Sequence, residues 1–310
     1  MSDNSEITEM MEFFEGTGPN WDTRTDVDTE SLKAAYTRLA DVSVRDITIP
    51  GPHGDVSARH YLKGTTAKTG LVWMHGGAFI GGSLDQPEAN WVALELASRG
   101  VSVLSVDYRK AVRGVSYPVP TDDVLAAWLW AHKHAKDLHC NSEDLHLGGA
   151  SAGAALAAGV TLLLRDGAGP LPASLILSYT LVHPELPPAS PELTALLSTL
   201  PADRLFTADF VSVVATNFAG SSAALKDPYA FPGLGTLHSH PPTFILNAEG
   251  DTLRASGESY ASQLKAAGAA VRLELEPGTL HGYLDDPHSA EAHHSINRIS
   301  KWIEEPVATY

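Results

Sequence analysis

The stretch Leu147-Gly148-Gly149-Ala150-Ser151-Ala152-Gly153-Ala154-Ala155 constrains this chain more than any other. An apolar run ends here, a turn of very small residues follows, and a run rich in alanine begins. This is the pattern of a buried strand, a sharp turn and a helix start. Gly149 and Gly153 flank Ser151 in a G-x-S-x-G spacing. In such a turn a side chain at either flank collides with the neighbouring strand or helix. The serine hydroxyl is then held out at the carboxyl edge of a sheet, and the N–H of Ala152 faces the same space near a helix N-terminus. The five residues alone fit equally well a glycine-rich turn with an incidental serine. The decision rests on which other loops the chain brings to that edge.

Around this stretch strands and helices alternate. Val44 to Pro50 and Val56 to Leu62 read as a hairpin through Gly51-Pro52-His53-Gly54. Leu71 to His75, Val101 to Tyr108, Leu145 to Ala150, Ser174 to Tyr179, Thr243 to Asn247 and Val271 to Glu276 are short apolar runs suited to further strands. Helical patterns fall at Asn90 to Ser98, Asp122 to Lys136, Ala152 to Arg165, Ser256 to Ala267 and Ala290 to Trp302. These predict an α/β fold: a mostly parallel central sheet, helices on both faces, and a hairpin at one edge. Two segments fall outside the rhythm. Residues 1–43 are polar and acidic, with a predicted helix from Thr29 to Asp41 and with Phe13, Phe14 and Trp21. Disordered tails rarely carry such aromatics, so these residues are expected to pack on the body or to cover something on it. From His183 to Gly235 the chain is rich in proline and too long for an ordinary loop. It reads as a cap inserted into a catalytic body of residues 44–310, with residues 1–43 as an N-terminal cap segment.

A chain of 310 residues with 44% hydrophobic and 19% charged content suits one large domain with a small appendage. The net charge of −16 and the lack of a basic run argue against nucleic acid and anionic membranes as partners. The single cysteine, Cys140, fits a reducing compartment. The acidic N-terminus does not read as a secretion signal, and no apolar run approaches the roughly 18–20 residues that span a bilayer. A cytoplasmic location is expected.

A serine nucleophile needs a base, an orienter for that base, and donors for an oxyanion. In such sheets these come from loops at the carboxyl ends of strands. Of fourteen histidines, His281 in Pro277-Gly278-Thr279-Leu280-His281-Gly282-Tyr283 follows the last strand through a short flexible loop. Asn247-Ala248-Glu249-Gly250-Asp251 follows the strand before it. Asp251, at the turn into the next helix, is favoured as the acid, with Glu249 as its rival. His75-Gly76-Gly77-Ala78-Phe79 follows an earlier strand, and its glycines let N–H groups turn into a site unobstructed. The N–H groups of Gly76, Gly77 and Ala152 are the expected oxyanion donors. The chain order is Ser151, Asp251, His281. Asp285-Asp286-Pro287-His288 hints at a metal but reads better as a solvated loop, so neither metal nor cofactor is expected.

With these blocks placed, the sequence resembles the hormone-sensitive-lipase-like, or bacterial group IV, esterases of the α/β-hydrolase superfamily. Besides the serine turn, His75 to Phe79 is similar to the family's H-G-G-G-F, and Val106-Asp107-Tyr108-Arg109 to its D-Y-R. Tyr117-Pro118 with Asp123 and Trp130 is similar to its F-P…D…W entry. Asp251-Thr252-Leu253-Arg254 resembles the block holding its acid, and His281-Gly282-Tyr283 its H-G-F. The resemblance covers about Val44 to Trp302. It implies carboxylic ester hydrolysis without a cofactor, a helical cap, and Asp251 rather than Glu249 as the acid. A homodimer through Val271 to Glu276 rests on this analogy alone. Ala150 stands where the family usually has aspartate, and Ala78 where it has a third glycine. Asp107, Arg109 and Asp123 are expected to hold neighbouring loops.

The expectation is therefore a carboxylesterase-type serine hydrolase for short- to medium-chain esters, working through an acyl-enzyme. Phe13, Phe14, Trp21, Phe79, Phe206 and Phe210 are the candidate wall of an apolar substrate pocket. The same residues would serve an amidase, lactonase, carbamate hydrolase or acyltransferase, and a non-catalytic binding member is the remaining alternative.

Overall fold

The computed structural model describes residues 26–305. Helix α1 (Thr29–Ala35) starts where the Asp28 carboxylate accepts from Ser31 N at 2.9 Å. The predicted helix to Asp41 stops early. Tyr36 takes an extended backbone, its hydroxyl donates to the Pro287 carbonyl at 2.8 Å, and only a 3-10 turn, Thr37–Leu39, follows. Anchoring of one aromatic side chain to a distant loop overrides the local periodicity.

Strands β1 (Val42–Ile49) and β2 (Val56–Lys63) form the expected antiparallel hairpin. The chain continues through β3 (Thr69–Met74), α2 (Pro87–Ser98), β4 (Val101–Asp107), α3 (Val119–Lys133), β5 (Leu145–Ala150), α4 (Ala152–Leu163) and β6 (Leu175–Ser178). After α5 (Pro191–Leu197) and α6 (Ala208–Ala219) come β7 (Thr243–Ala248), α7 (Arg254–Ala266), β8 (Val271–Glu276) and α8 (Ala290–Glu304). Helix α2 begins three residues before the predicted Asn90, because Pro87 occupies its first turn, where a missing N–H costs nothing.

Among the described residues these strands form one sheet in the order β1-β2-β4-β3-β5-β6-β7-β8. Only the pairings of β2 are antiparallel. The fold is thus the expected one, with helices on both faces. Alternation along β5 shows how the faces divide. Leu145 and Leu147 join the core beneath α3, α4 and α7, whereas Ala150 joins the core beneath α2 and α8.

The segment 183–235 breaks the alternation, as its prolines indicate. It carries α5, α6 and three short 3-10 turns, and α6 buries Phe210, Val211, Val214 and Phe218 along one face. The described part of the leader lies against α2: Val27 N donates to the Asp85 carbonyl and Asn90 Nδ2 to the Val27 carbonyl, each at 2.8 Å. Phe13, Phe14 and Trp21 lie outside the described residues. Among the described residues no helix is long and apolar enough to cross a membrane.

Four histidines are built into the core as neutral groups. His60 lies 2.8 Å from Ser102 Oγ, His146 2.7 Å from Ser174 Oγ, His183 2.8 Å from Ser256 Oγ and His240 3.2 Å from Thr243 Oγ1. Burial pushes each imidazole down to about 4 from an ordinary 6.5. Between those values the unfolded chain binds more protons than the folded one, so stability rises with pH through that window and is lost on acidification. Urea unfolding midpoints are expected to fall steadily from pH 6.5 to pH 4.5. A flat midpoint over that range would show that these imidazoles are not held neutral.

Candidate active site

Helix α4 leaves β5 hard against the end of β3. A Cβ on Gly149 would stand 2.7 Å from the Met74 carbonyl oxygen, and one on Gly153 would collide with the carbonyl oxygens of Met74 and His75. The corner residue, Ser151, takes φ 52° and ψ −119°, which side chains other than glycine rarely adopt. Its N–H donates to the Ser178 carbonyl at 2.9 Å and its carbonyl accepts from Ala155 N at 3.1 Å. With the backbone fixed from both sides, the hydroxyl projects at the carboxyl ends of the parallel strands.

Two further loops meet it there. His281, after β8, places Nε2 2.9 Å from Ser151 Oγ, and Asp251, after β7, places Oδ2 2.7 Å from His281 Nδ1. Asp251 is 1% exposed, and its second oxygen accepts from Leu253 N at 2.8 Å. A carboxylate so placed makes Nδ1 the protonated nitrogen and leaves the Nε2 lone pair for the serine proton. Glu249 is turned elsewhere: its carboxylate accepts from Gly278 N at 2.8 Å and so ties the loop after β7 to the loop carrying His281. The imidazole is flanked by two rings in T-shaped contact, Tyr179 just after β6 at 4.9 Å and Phe206 of the insert at 4.7 Å.

The loop after β3 departs from expectation at one position. Gly76 N donates to the buried carboxylate of Glu88 at 3.2 Å. That N–H is committed, so Gly76 is withdrawn as an oxyanion donor. The N–H groups of Gly77, Ala78 and Ala152 have no partner among the described residues. Ala78 and Ala152 line the same cavity as Ser151.

That cavity holds about 310 Å³, part of it open to solvent. Phe79, Phe206 and Phe210 line it, with Leu181, Val211, Val214 and Leu253. The valines were findable: Phe210, Val211 and Val214 recur at helical spacing on α6. Glu88 and Tyr179 carry no such signal, because their partners are distant in the chain. Asp107, Arg109 and Asp123 hold loops. The Arg109 N–H donates to Asp123 at 2.9 Å, its guanidinium pairs with the same carboxylate, and it reaches the Asp55 carbonyl at 3.0 Å. Among the described residues no cluster of three His, Cys, Asp or Glu side chains is arranged to hold a metal ion.

This geometry can be set beside known proteins. A family model described as the alpha/beta hydrolase fold matches residues 71–285. The chain belongs to the α/β-hydrolase fold family. It is 36% identical over 252 residues to the carboxylic ester hydrolase LipN of Mycobacterium tuberculosis, covering 79% of this chain and 65% of that one. It is 32% identical over 226 residues to the carboxylesterase NlhH of the same species, covering 72% of this chain and 70% of that one. A hyperthermophilic esterase from the archaeon Pyrobaculum calidifontis superposes with a TM-score of 0.77 at 27% identity, covering 89% of this chain and 90% of that one. Within the α/β-hydrolases the chain is a serine hydrolase of the carboxylesterase type.

The two carboxylates near His281 differ in consequence. Asp251→Asn is expected to lower kcat by about four orders of magnitude, since it fixes the wrong tautomer. Glu249→Gln, which loosens a loop, is expected to keep turnover within about tenfold of the parent. Steady-state kinetics on one nitrophenyl ester distinguishes them, and equal losses would show that the assignment of the acid is wrong.

Proposed function

We propose that this protein hydrolyses carboxylic esters with short to medium acyl chains through an acyl-enzyme on Ser151. One observation carries the reading: the hydrogen-bonded line Asp251–His281–Ser151 opens onto an apolar cavity. Ser151 Oγ attacks the acyl carbonyl while His281 Nε2 takes its proton. Asp251 keeps the imidazole oriented and balances the charge that develops on it. The N–H groups of Gly77, Ala78 and Ala152 receive the oxyanion, each worth on the order of 3 kcal/mol of barrier. His281 then returns the proton to the leaving alcohol, and water, deprotonated by the same imidazole, releases the acid.

The cavity beside Ser151 is small. Its lining of Phe79, Phe206, Phe210, Val211 and Val214 offers an acyl chain no polar partner. The cap in this reading is the insert 183–235 together with the N-terminal segment, residues 1–43. The substrate is a small-molecule ester met in the cytoplasm, and two copies pair across β8, the last strand of the sheet order.

A nitrophenyl ester series from acetate to palmitate tests the substrate range. The highest kcat/KM is expected between acetate and octanoate, with palmitate lowest and Ser151→Ala inactive throughout. Best turnover of palmitate overturns the chain-length reading. Faster turnover of matched anilides than of esters overturns the ester reading.

A further inference from the structure

The loop that carries the oxyanion donors is held by a half-buried lysine. Lys110 follows β4 by three residues, and its side chain is only 17% exposed. Its ammonium has three donors and three acceptors: Asp107 Oδ1 at 2.6 Å, the Tyr108 carbonyl at 2.7 Å and His75 Nε2 at 3.1 Å. It also sits 4.3 Å from the centroid of the Tyr108 ring. His75 is fully buried, stacked on Tyr108 at 4.7 Å, with Gly82 so close that any Cβ there would strike the imidazole.

With Lys110 as an ammonium, the proton inventory of this cluster has one solution. An ammonium has no lone pair, so His75 Nε2 must accept from Lys110. His75 Nδ1, 2.6 Å from the Gly76 carbonyl oxygen, must then carry the proton that this oxygen accepts. Both bonds demand the same neutral tautomer. Asp107 stands 3.5 Å from the same Nε2, beyond a good hydrogen bond, and accepts from the ammonium instead.

Peptide planarity turns this into an orientation. In a trans peptide the C=O and the following N–H point in opposite directions. With the Gly76 carbonyl drawn toward His75, the Gly77 N–H is aimed the other way. The next peptide repeats the device: the Gly77 carbonyl accepts from Ile80 N and Gly81 N, each at 2.9 Å, so the Ala78 N–H is aimed away from that turn. Gly76 itself runs across the nucleophile, for a Cβ there would lie 2.9 Å from Ser151 Cβ.

We propose that Lys110 is a positioning residue for the oxyanion hole, locking the His75 tautomer so that the Gly77 N–H is presented over Ser151. The inference rests on the esterase reading above. Lys110→Met keeps the length of the side chain and removes its donors. Its kcat on nitrophenyl acetate, per serine labelled by a fluorophosphonate, is expected to fall about tenfold with KM within about twofold. Affinity for a trifluoromethyl ketone, whose adduct carries the oxyanion, is expected to weaken by a similar factor. A lysine that only supports folding would lower the labelled fraction and leave kcat per labelled serine unchanged, and that result overturns the inference. Where Lys110→Met does not accumulate as folded protein, Asp107→Asn loosens the same ammonium from its 36% exposed partner. It is expected to show the same split at about threefold, and an unchanged kcat again overturns the inference. A parent enzyme that labels at Ser151 but turns over no ester defeats the esterase reading, and the inference with it.

Discussion

Everything at the site depends on how closely the turn after β5 approaches the end of β3. Met74 and His75 present carbonyl oxygens to Gly153, and no residue with a Cβ fits between them. The helix must therefore start at once, and Ser151 must take up a left-handed corner of order 1–3 kcal/mol in strain. The surroundings offset that cost. Ser178 on β6 and Ala155 in α4 hold the two ends of the corner by hydrogen bonds. From Ala152 to Leu162 every residue of α4 is buried. A strained serine persists because a helix buried over eleven of its twelve residues is attached to it.

The base is held differently, by convergence rather than by strain. Its loop is tied to the preceding one through Glu249 and Gly278, and by Gly250 N donating to the Thr279 carbonyl at 2.8 Å. Arg254, just after Asp251, pairs with Glu258 in its own helix and at 2.8 Å with Glu192 on α5. The insert thus reaches both members of the pair: Glu192 braces the turn carrying the acid, and Phe206 closes one face of the imidazole. A segment whose prolines only mark a break in the α/β rhythm is mechanically part of the catalytic loops.

Much of this was legible in the chain because its causes are local. Strands buried on both faces must be continuous apolar runs, so β3 to β7 could be read directly. Gly149 and Gly153 mark a close approach that any other residue forbids, and the order Ser151, Asp251, His281 follows from loops at successive strand ends. What could not be read has causes spread over the sequence. Tyr36 ends its helix for the sake of a carbonyl 251 residues away. Gly76 looked like a donor in a glycine loop, but Glu88, twelve residues on and inside a helix, takes its N–H. Asp251 and Glu249 are alike as sequence. They separate only when one meets an imidazole and the other a backbone amide.

The alanine that stands third in the glycine loop shows how these levels combine. Ala78 and Phe79 both lie in the left-handed region, at φ 51° and 66°, where a Cβ is a burden. A third glycine would relieve it, at the entropic cost of a more mobile loop. The structure spends the strain on rigidity instead. Phe79 is anchored by its carbonyl, which accepts from Ala111 N at 2.7 Å, and by stacking on Phe218 of α6 at 4.0 Å. Ala78 is left with its methyl group on the cavity wall beside Ser151 and its N–H unclaimed. The same residue that narrows the space for an acyl group therefore also fixes the direction of a donor. In the proposed function the size limit and the preorganisation of the oxyanion hole are one feature of this loop.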